Sequence, residues 1–340
     1  VSKRMCWIIL PILVMVALSL AACGGQEPTA APESDTSAMQ SSLPTPAPER
    51  DIQSLKMALL PVQDVLPFHV AQQNGYFEQV GVEVELVPVK SGQERDTLMQ
   101  TGQVDGMLTD LLSPVLFNQD EAQVKAVRTA RRAYPDSPLF RTLAAPGSTA
   151  TSPEDLAGVE IGSAQNTVIE YITNRMMENA GVPSDQIATQ EVSAIPVRFE
   201  LLINGEIPAA TLPDPLASGA IAAGAVLIVD DTSVPELSQS ILAFSTGSLE
   251  SKPEAVRRFL EAWELAVTEL NSSPEAYKAL LIEKGRVPES IQGTYEMPPF
   301  PEASVPAPEQ LADVVSWALD RGLIEDDIPY ERMVDDAYLP

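Results

Sequence analysis

Arg95-x-x-Leu98-x-x-Thr101-Gly102-Gln103-Val104-x-Gly106-Met107 is matched in unbroken register by Arg198-x-x-Leu201-x-x-Asn204-Gly205-Glu206-Ile207-x-Ala209-Ala210. In each copy a helical run closes on a glycine, the residue that accepts the left-handed turn ending a helix, and a segment short enough only for a strand follows. The match extends upstream. Pro61-Val62-Gln63-Asp64 follows the apolar run from Leu55 to Leu60, as Ser163-Ala164-Gln165-Asn166 follows the run from Val159 to Gly162. The preceding helices end at Asn74-Gly75 and Asn179-Ala180-Gly181, and Val82-Glu83-Val84-Glu85-Leu86 alternates as a strand with one covered face. Strand and helix alternating in this way predict an α/β architecture of parallel sheets with helical crossovers, built as two similar lobes.

The C-terminal third changes character. Ser251-Lys252-Pro253-Glu254 opens a long helix with Phe259, Trp263, Ala266, Val267 and Leu270 on one face, and Ser273-Pro274-Glu275 reads as a serine cap with proline in the next first turn. Leu311, Val314, Val315 and Leu319 form another stripe ended by Gly322, and prolines at 298, 299, 301, 306 and 308 mark an irregular connection between these helices. They are expected to cover the lobes.

At the other end, Lys3 and Arg4 precede an apolar run from Trp7 to Ala22, the layout of a secretory signal and too short for a comfortable membrane span. Leu20-Ala21-Ala22-Cys23-Gly24 resembles the bacterial lipoprotein lipobox, which implies removal of residues 1–22 and lipid on Cys23. The Pro- and Ser-rich residues 23–50 suit a tether, so an extracytoplasmic protein anchored to the outer face or periplasmic side of the membrane is expected. Cys6 and Cys23 are the only cysteines, which leaves the exported part without thiol chemistry.

A net charge of −27 excludes nucleic acid and an electrostatic hold on anionic lipid. With His69 as the single histidine and no Gly-x-Ser-x-Gly, neither a histidine metal cluster nor a serine nucleophile is expected; no cofactor, no metal and no enzyme activity are predicted.

Asp64-Val65-Leu66-Pro67-Phe68-His69-Val70-Ala71, Asn74-Gly75-Tyr76-Phe77 and Gly81-Val82-Glu83-Val84-Glu85-Leu86 resemble the opening of solute-binding proteins of ABC importers, in the group that takes nitrate, sulfonates, taurine and thiamine-pyrimidine precursors. Gly102-Gln103-Val104-Asp105-Gly106, Ser152-Pro153-Glu154-Asp155-Leu156-Ala157-Gly158 and Pro213-Asp214-Pro215-Leu216 are similar to later landmarks of that family, and Pro208 departs from it where the first copy has Asp105. The resemblance implies a type II periplasmic-binding fold: residues 51–143 and 241–340 as one lobe, 144–240 as the other, two crossing strands between them, and extra C-terminal helices. It implies capture of a small polar solute by hinge closure, a membrane permease as partner, and a monomer. Two other readings share the fold: an enzyme of thiamine-pyrimidine synthesis, and a lipid-anchored sensor. The first would need a reactive histidine, a cofactor lysine and a cysteine-rich metal motif; the predicted crevice turns contain no lysine.

In open α/β sheets ligands bind beyond the carboxyl ends of the strands, where helix N-termini present unpaired N–H groups. The turns that qualify supply Gln63 and Asp64, Ser91 and Gly92, Thr109 and Asp110, Gln165, Asn166 and Thr167, with Asp214 ending a fifth. Each has a structural alternative: Asp110 can cap the next helix, Asp214 before Pro215 suits an N-cap, and Thr167-x-x-Glu170 suits a capping box. Ser91-Gly92 is the best place for an anionic or carbonyl group. Phe68 and Tyr171 can stack on a flat ligand or fill cores. Arg95 and Arg198 are the only basic residues expected near the crevice. Carboxylates at Asp64, Asp110, Glu170 and Asp214 offset the anion preference of helix N-termini, which predicts an amine or aminopyrimidine rather than nitrate or a sulfonate.

Overall fold

The computed structural model describes residues 53–340, so the signal segment, the tether and Cys23 lie outside the described residues. The first sheet contains β1 (Gln53–Leu59), β2 (Val82–Pro88), β3 (Gly106–Asp110), β4 (Val124–Arg132) and, from much later in the chain, β10 (Gln239–Ser245), in the order β2-β1-β3-β10-β4. The second contains β5 (Phe140–Ala144), β6 (Glu160–Ser163), β7 (Ala188–Glu191), β8 (Ala209–Pro213) and β9 (Val226–Asp230), in the order β7-β6-β8-β5-β9. Each sheet pairs three strands in parallel and then extends through two antiparallel pairings, so that only β10 in the first sheet and β5 in the second run against their neighbours. The matched residues Gly106 and Ala209 pair with the corresponding strand of each sheet, opposite Met57 and Ile161, although these stand six and four residues before the matched Gln63 and Gln165, so the register differs by two between the copies.

The chain leaves the first sheet through residues 133–139 and returns through 231–238, and β5 and β10 are the strands that arrive from the other side. Helices α1 (Leu66–Gln73), α2 (Tyr76–Val80), α3 (Gly92–Gln100) and α4 (Leu112–Phe117) serve the first lobe, and α5 (Val168–Asn179), α6 (Ile195–Ile203) and α7 (Leu216–Ala222) the second. The matched glycines end α3 and α6 as the repeat requires, Gly102 at φ 65° and Gly205 at φ 70°. In β2, Val82 and Val84 are buried while Glu83 and Glu85 face out, the period-two pattern of a half-covered strand.

The C-terminal helices are α8 (Thr246–Ser251), α9 (Pro253–Ser272), α10 (Lys278–Lys284), α11 (Pro308–Asp320) and α12 (Tyr330–Met333). Helix α9 lays Phe259, Leu260 and Trp263 against α1 and the first sheet, and Phe68 is fully buried there with its ring centroid 4.8 Å from that of Trp263. Tyr171, also fully buried, packs on Trp317 of α11 and donates to Asp313 at 2.7 Å. Both aromatics are core residues. Ser273 makes no side-chain cap; a short 3-10 turn, Pro274–Tyr277, stands between α9 and α10. Helix α11 does more than cover. It packs on α4 of the first lobe and, through Trp317, Asp313 and Arg321, holds α5 of the second. No helix among the described residues is long and apolar enough to cross a membrane.

Candidate functional site

A cleft of about 780 Å³ opens between the two sheets, within the ordinary range for small-ligand sites. Both lobes line it at the carboxyl ends of their strands. From the first lobe come the turns after β1, β2 and β3, and from the second those after β6, β7 and β8. Gln63, Asp64, Ser91, Gly92, Thr109, Asp110, Gln165, Asn166, Thr167 and Asp214 all face it. Phe68 and Glu170 do not: Phe68 belongs to the core, and Glu170 is buried beneath the turn, where its carboxylate accepts the Asn166 N–H at 2.7 Å and pairs with Arg321 at 3.2 Å.

The caps differ in detail from expectation. Ser91 caps α3 by accepting from the Glu94 N–H at 3.2 Å, and Asp110 accepts from Leu112 and Ser113 at 3.0 and 3.3 Å. Thr167 accepts from Ile169 rather than Glu170, and Glu170 reaches Asn166 rather than Thr167, so the reciprocal box is displaced by one residue at each end. Asn166 makes this possible by taking φ 58°, a left-handed conformation that asparagine tolerates. Asp214 sits one position before the cap of α7 and accepts from the Ser218 N–H and hydroxyl at 3.1 and 2.9 Å.

The main correction concerns charge. Every carboxylate named from the sequence has an arginine: Asp64 pairs with Arg131 at 3.3 Å, Asp110 with Arg95 at 3.6 Å, Asp214 with Arg141, and Glu170 with Arg321. Arg131 is fully buried and Arg141 mostly so, each within two residues of a chain crossing and neither in the cleft lining. Burial pushes the Asp110 carboxyl above its usual range, with the Arg95 guanidinium opposing the shift. Arg95 also donates to Ser113 at 3.0 Å, and Thr109 and Ser113 share a hydrogen bond of 2.5 Å, so that wall is a closed polar network. Arg198, the matched residue, is fully buried and donates to the carbonyls of Thr211 and Val192 instead, outside the cleft lining.

Arg95 and Arg198 are thus not the only basic residues nearby. Lys90 also lines the cleft, directly before Ser91, and makes no ion pair among the described residues. Across from the first lobe, Glu191 accepts from the Gln165 N–H at 2.6 Å and from the Ser193 hydroxyl, and among the described residues it makes no direct ion pair, Arg198 acting on it only at longer range. Between these polar edges the lining is apolar, with Leu60, Leu108, Leu112, Phe140, Ile169 and Ile195 prominent. Ser240 presents a buried hydroxyl with no hydrogen-bond partner among the described residues. His69 is half-buried on α1, with its pKa lowered by burial, and does not line the cleft. No group of three or more His, Cys, Asp or Glu among the described residues is placed to hold a metal ion.

A family model described as NMT1/THI5 like matches residues 62–277. Among curated protein sequences no match to the chain is found. The ligand-binding component of an ABC-type import system from Staphylococcus aureus, solved with zinc bound, superposes with a TM-score of 0.71 at 11% identity over 84% of this chain and 97% of that one. The periplasmic aliphatic sulphonate binding protein of Escherichia coli superposes at 0.69 with 16% identity, over 83% of this chain and 92% of that one. For the periplasmic nitrate-binding protein of Synechocystis PCC 6803 the score is 0.65 at 12% identity, over 85% and 87%. These likenesses bear out the periplasmic-binding fold expected from the sequence.

Proposed function

The chain belongs to the NMT1/THI5-like family, and from that premise we propose that it is the solute-binding component of an ABC importer, anchored outside the cytoplasm by lipid on Cys23. One observation carries the reading. Two α/β lobes of the same topology are joined only by paired chain crossings and C-terminal packing, and they line one cleft from opposite sides with strand ends and helix starts. Such a site binds best when both walls touch the solute, so binding favours closure about the crossings, and the closed form is what a membrane permease recognises. The chain before the crossing at 133–139 and after the crossing at 231–238 moves as one lobe and residues 140–230 as the other, so that β10 and β5 each move with the sheet they pair in.

The solute is small, polar and close to neutral. The expectation of a cationic amine rested on free carboxylates, and the arginines pair all of those named. Lys90 on one wall and Glu191 on the other offset each other, and because Asp96 shares Arg95 with Asp110 the cleft keeps about one carboxylate in excess, no large charge of either sign. The apolar middle of the cleft suits a flat ring, and Gln63, Ser91, Thr109, Gln165, Asn166 and Thr167 offer donors and acceptors around it. A neutral aminopyrimidine fits these demands better than nitrate or a simple alkylamine. Binding rather than catalysis is proposed because the single histidine, His69, lies outside the cleft, although Lys90, unlike the lysine-free crevice expected from sequence, is within it.

Native mass spectrometry of protein purified without refolding, followed by a thermal-shift panel of aminopyrimidines, amines, nitrate and alkanesulfonates, tests the reading. At a hundredfold excess over Kd a bound solute should add about 2.7 kcal/mol to stability. Tight binding of nitrate or an alkanesulfonate in preference to the neutral heterocycles would contradict the charge balance described above.

A further inference from the structure

Residues 285–300, between α10 and α11, belong to neither repeat. Val287, Ile291 and Phe300 anchor this segment in the apolar core of the first lobe, and Tyr295 packs against that core. Yet the segment touches the second lobe in two places. Residues Glu289–Ile291 pack on α7, where Gly219 leaves room for Pro288: a Cβ on Gly219 would lie 2.6 Å from the proline Cγ. Seven residues after Pro288 the Tyr295 hydroxyl stands between the lobes, 2.7 Å from Gln63 Oε1 on one side and 3.1 Å from Asp214 Oδ2 on the other.

Resting on the hinge-closure reading, we infer that Tyr295 is the latch of the closed state, a positioning residue carried by the C-terminal segment that ties Gln63 of one lobe to Asp214 of the other. A phenol has one proton, so it donates to one acceptor at a time; with the Gln63 amide turned, the oxygen takes an N–H from Gln63 while the proton goes to Asp214. Either way the bridge exists only while both lobes are in place. Opening the cleft costs Asp214 one of its partners but leaves it Arg141 and Ser218, so the loss falls on the closed state alone. Gln63 and Asp214 also line the cleft, which places the latch in direct contact with residues available to solute. Burial and the Asp214 charge both raise the Tyr295 pKa, so the proton stays on the phenol across the physiological range.

Spin labels placed through p-acetylphenylalanine at Thr101 and Val197, one in each lobe, both exposed and outside the cleft lining, report the distance between lobes in the full chain without disturbing Cys6 or Cys23. No solute is needed. Tyr295→Phe should raise the ratio of long to short distances about tenfold, the loss expected for a hydrogen bond to a charged group. Gly219→Ala should move the ratio the same way by pushing on Pro288, and because alanine is the better helix former the change does not threaten α7 itself. A wild type with two distances whose ratio neither variant moves would overturn the latch and leave hinge closure standing. One narrow distance shared by the wild type and both variants would overturn the latch, and hinge closure falls with it only if that distance also stays unchanged when a stabilising solute is added.

Discussion

Asp231 joins the two chain crossings, and its titration should be visible in the stability of the whole protein. Its carboxylate is fully buried at the end of β9 and accepts the N–H groups of Leu139 and Phe140, at 3.1 and 2.9 Å, from the opposite crossing. The Ser238 hydroxyl also donates to it. Burial outweighs the lowering effect of these hydrogen bonds, Asp230 adds to it, and among the described residues no cation pairs with the group, so the pKa is pushed from 3.8 up to about 6. An acid whose pKa is raised on folding holds its proton more tightly in the native state, so its favourable contribution is complete below about 3.8 and is lost as pH rises through about 6. At 1.36 kcal/mol per pKa unit, the span corresponds to about 3 kcal/mol. Urea unfolding of the wild type and Asp231→Asn between pH 3 and 7.5 isolates this contribution, because asparagine keeps an acceptor but cannot titrate. The stability of the wild type relative to the variant should rise by about 3 kcal/mol as pH falls across that window. Parallel pH profiles for the two proteins would refute the raised pKa and the uncompensated burial behind it.

Asp214→Asn should cost about 3 kcal/mol in urea unfolding even without solute, because it leaves Arg141 buried without its carboxylate; a loss under about 1 kcal/mol would contradict that pairing. Phe68→Ala, which empties a site between Phe259 and Trp263, should destabilise by about 3 to 5 kcal/mol and leave the affinity of the folded protein for solute unchanged, since the ring does not reach the cleft. Cys23→Ser should shift the protein made in a lipidating bacterium from the detergent phase to an unprocessed or aqueous form, and wild type found wholly in the aqueous phase would contradict the anchor.

Much of the fold was legible because the repeat is written in residues that act locally. Gly102 and Gly205 end their helices for the same steric reason, and Gly106 and Ala209 then open the strands that pair in parallel with β1 and β6. Site turns were legible for a similar reason, since strand ends and helix caps announce themselves within a few residues. What did not show was anything set by distant pairing. Arg131 and Arg141 meet Asp64 and Asp214 across 67 and 73 residues of sequence, so the free carboxylates expected at the crevice are in fact neutralised. Phe68 could be read as a stacking ring or as core, and only the packing of α9, nearly two hundred residues on, decides for core. Tyr295 lies in a proline-rich connection with no periodicity, and its place between the lobes depends on where Val287, Ile291 and Phe300 happen to be buried.

Small-angle X-ray scattering of the protein with and without a solute that raises its melting temperature tests the central claim most directly. Closure of two lobes on a solute predicts a smaller radius of gyration in the complex, saturating at one solute per chain. A solute bound at that stoichiometry with no change in radius would contradict capture by hinge closure.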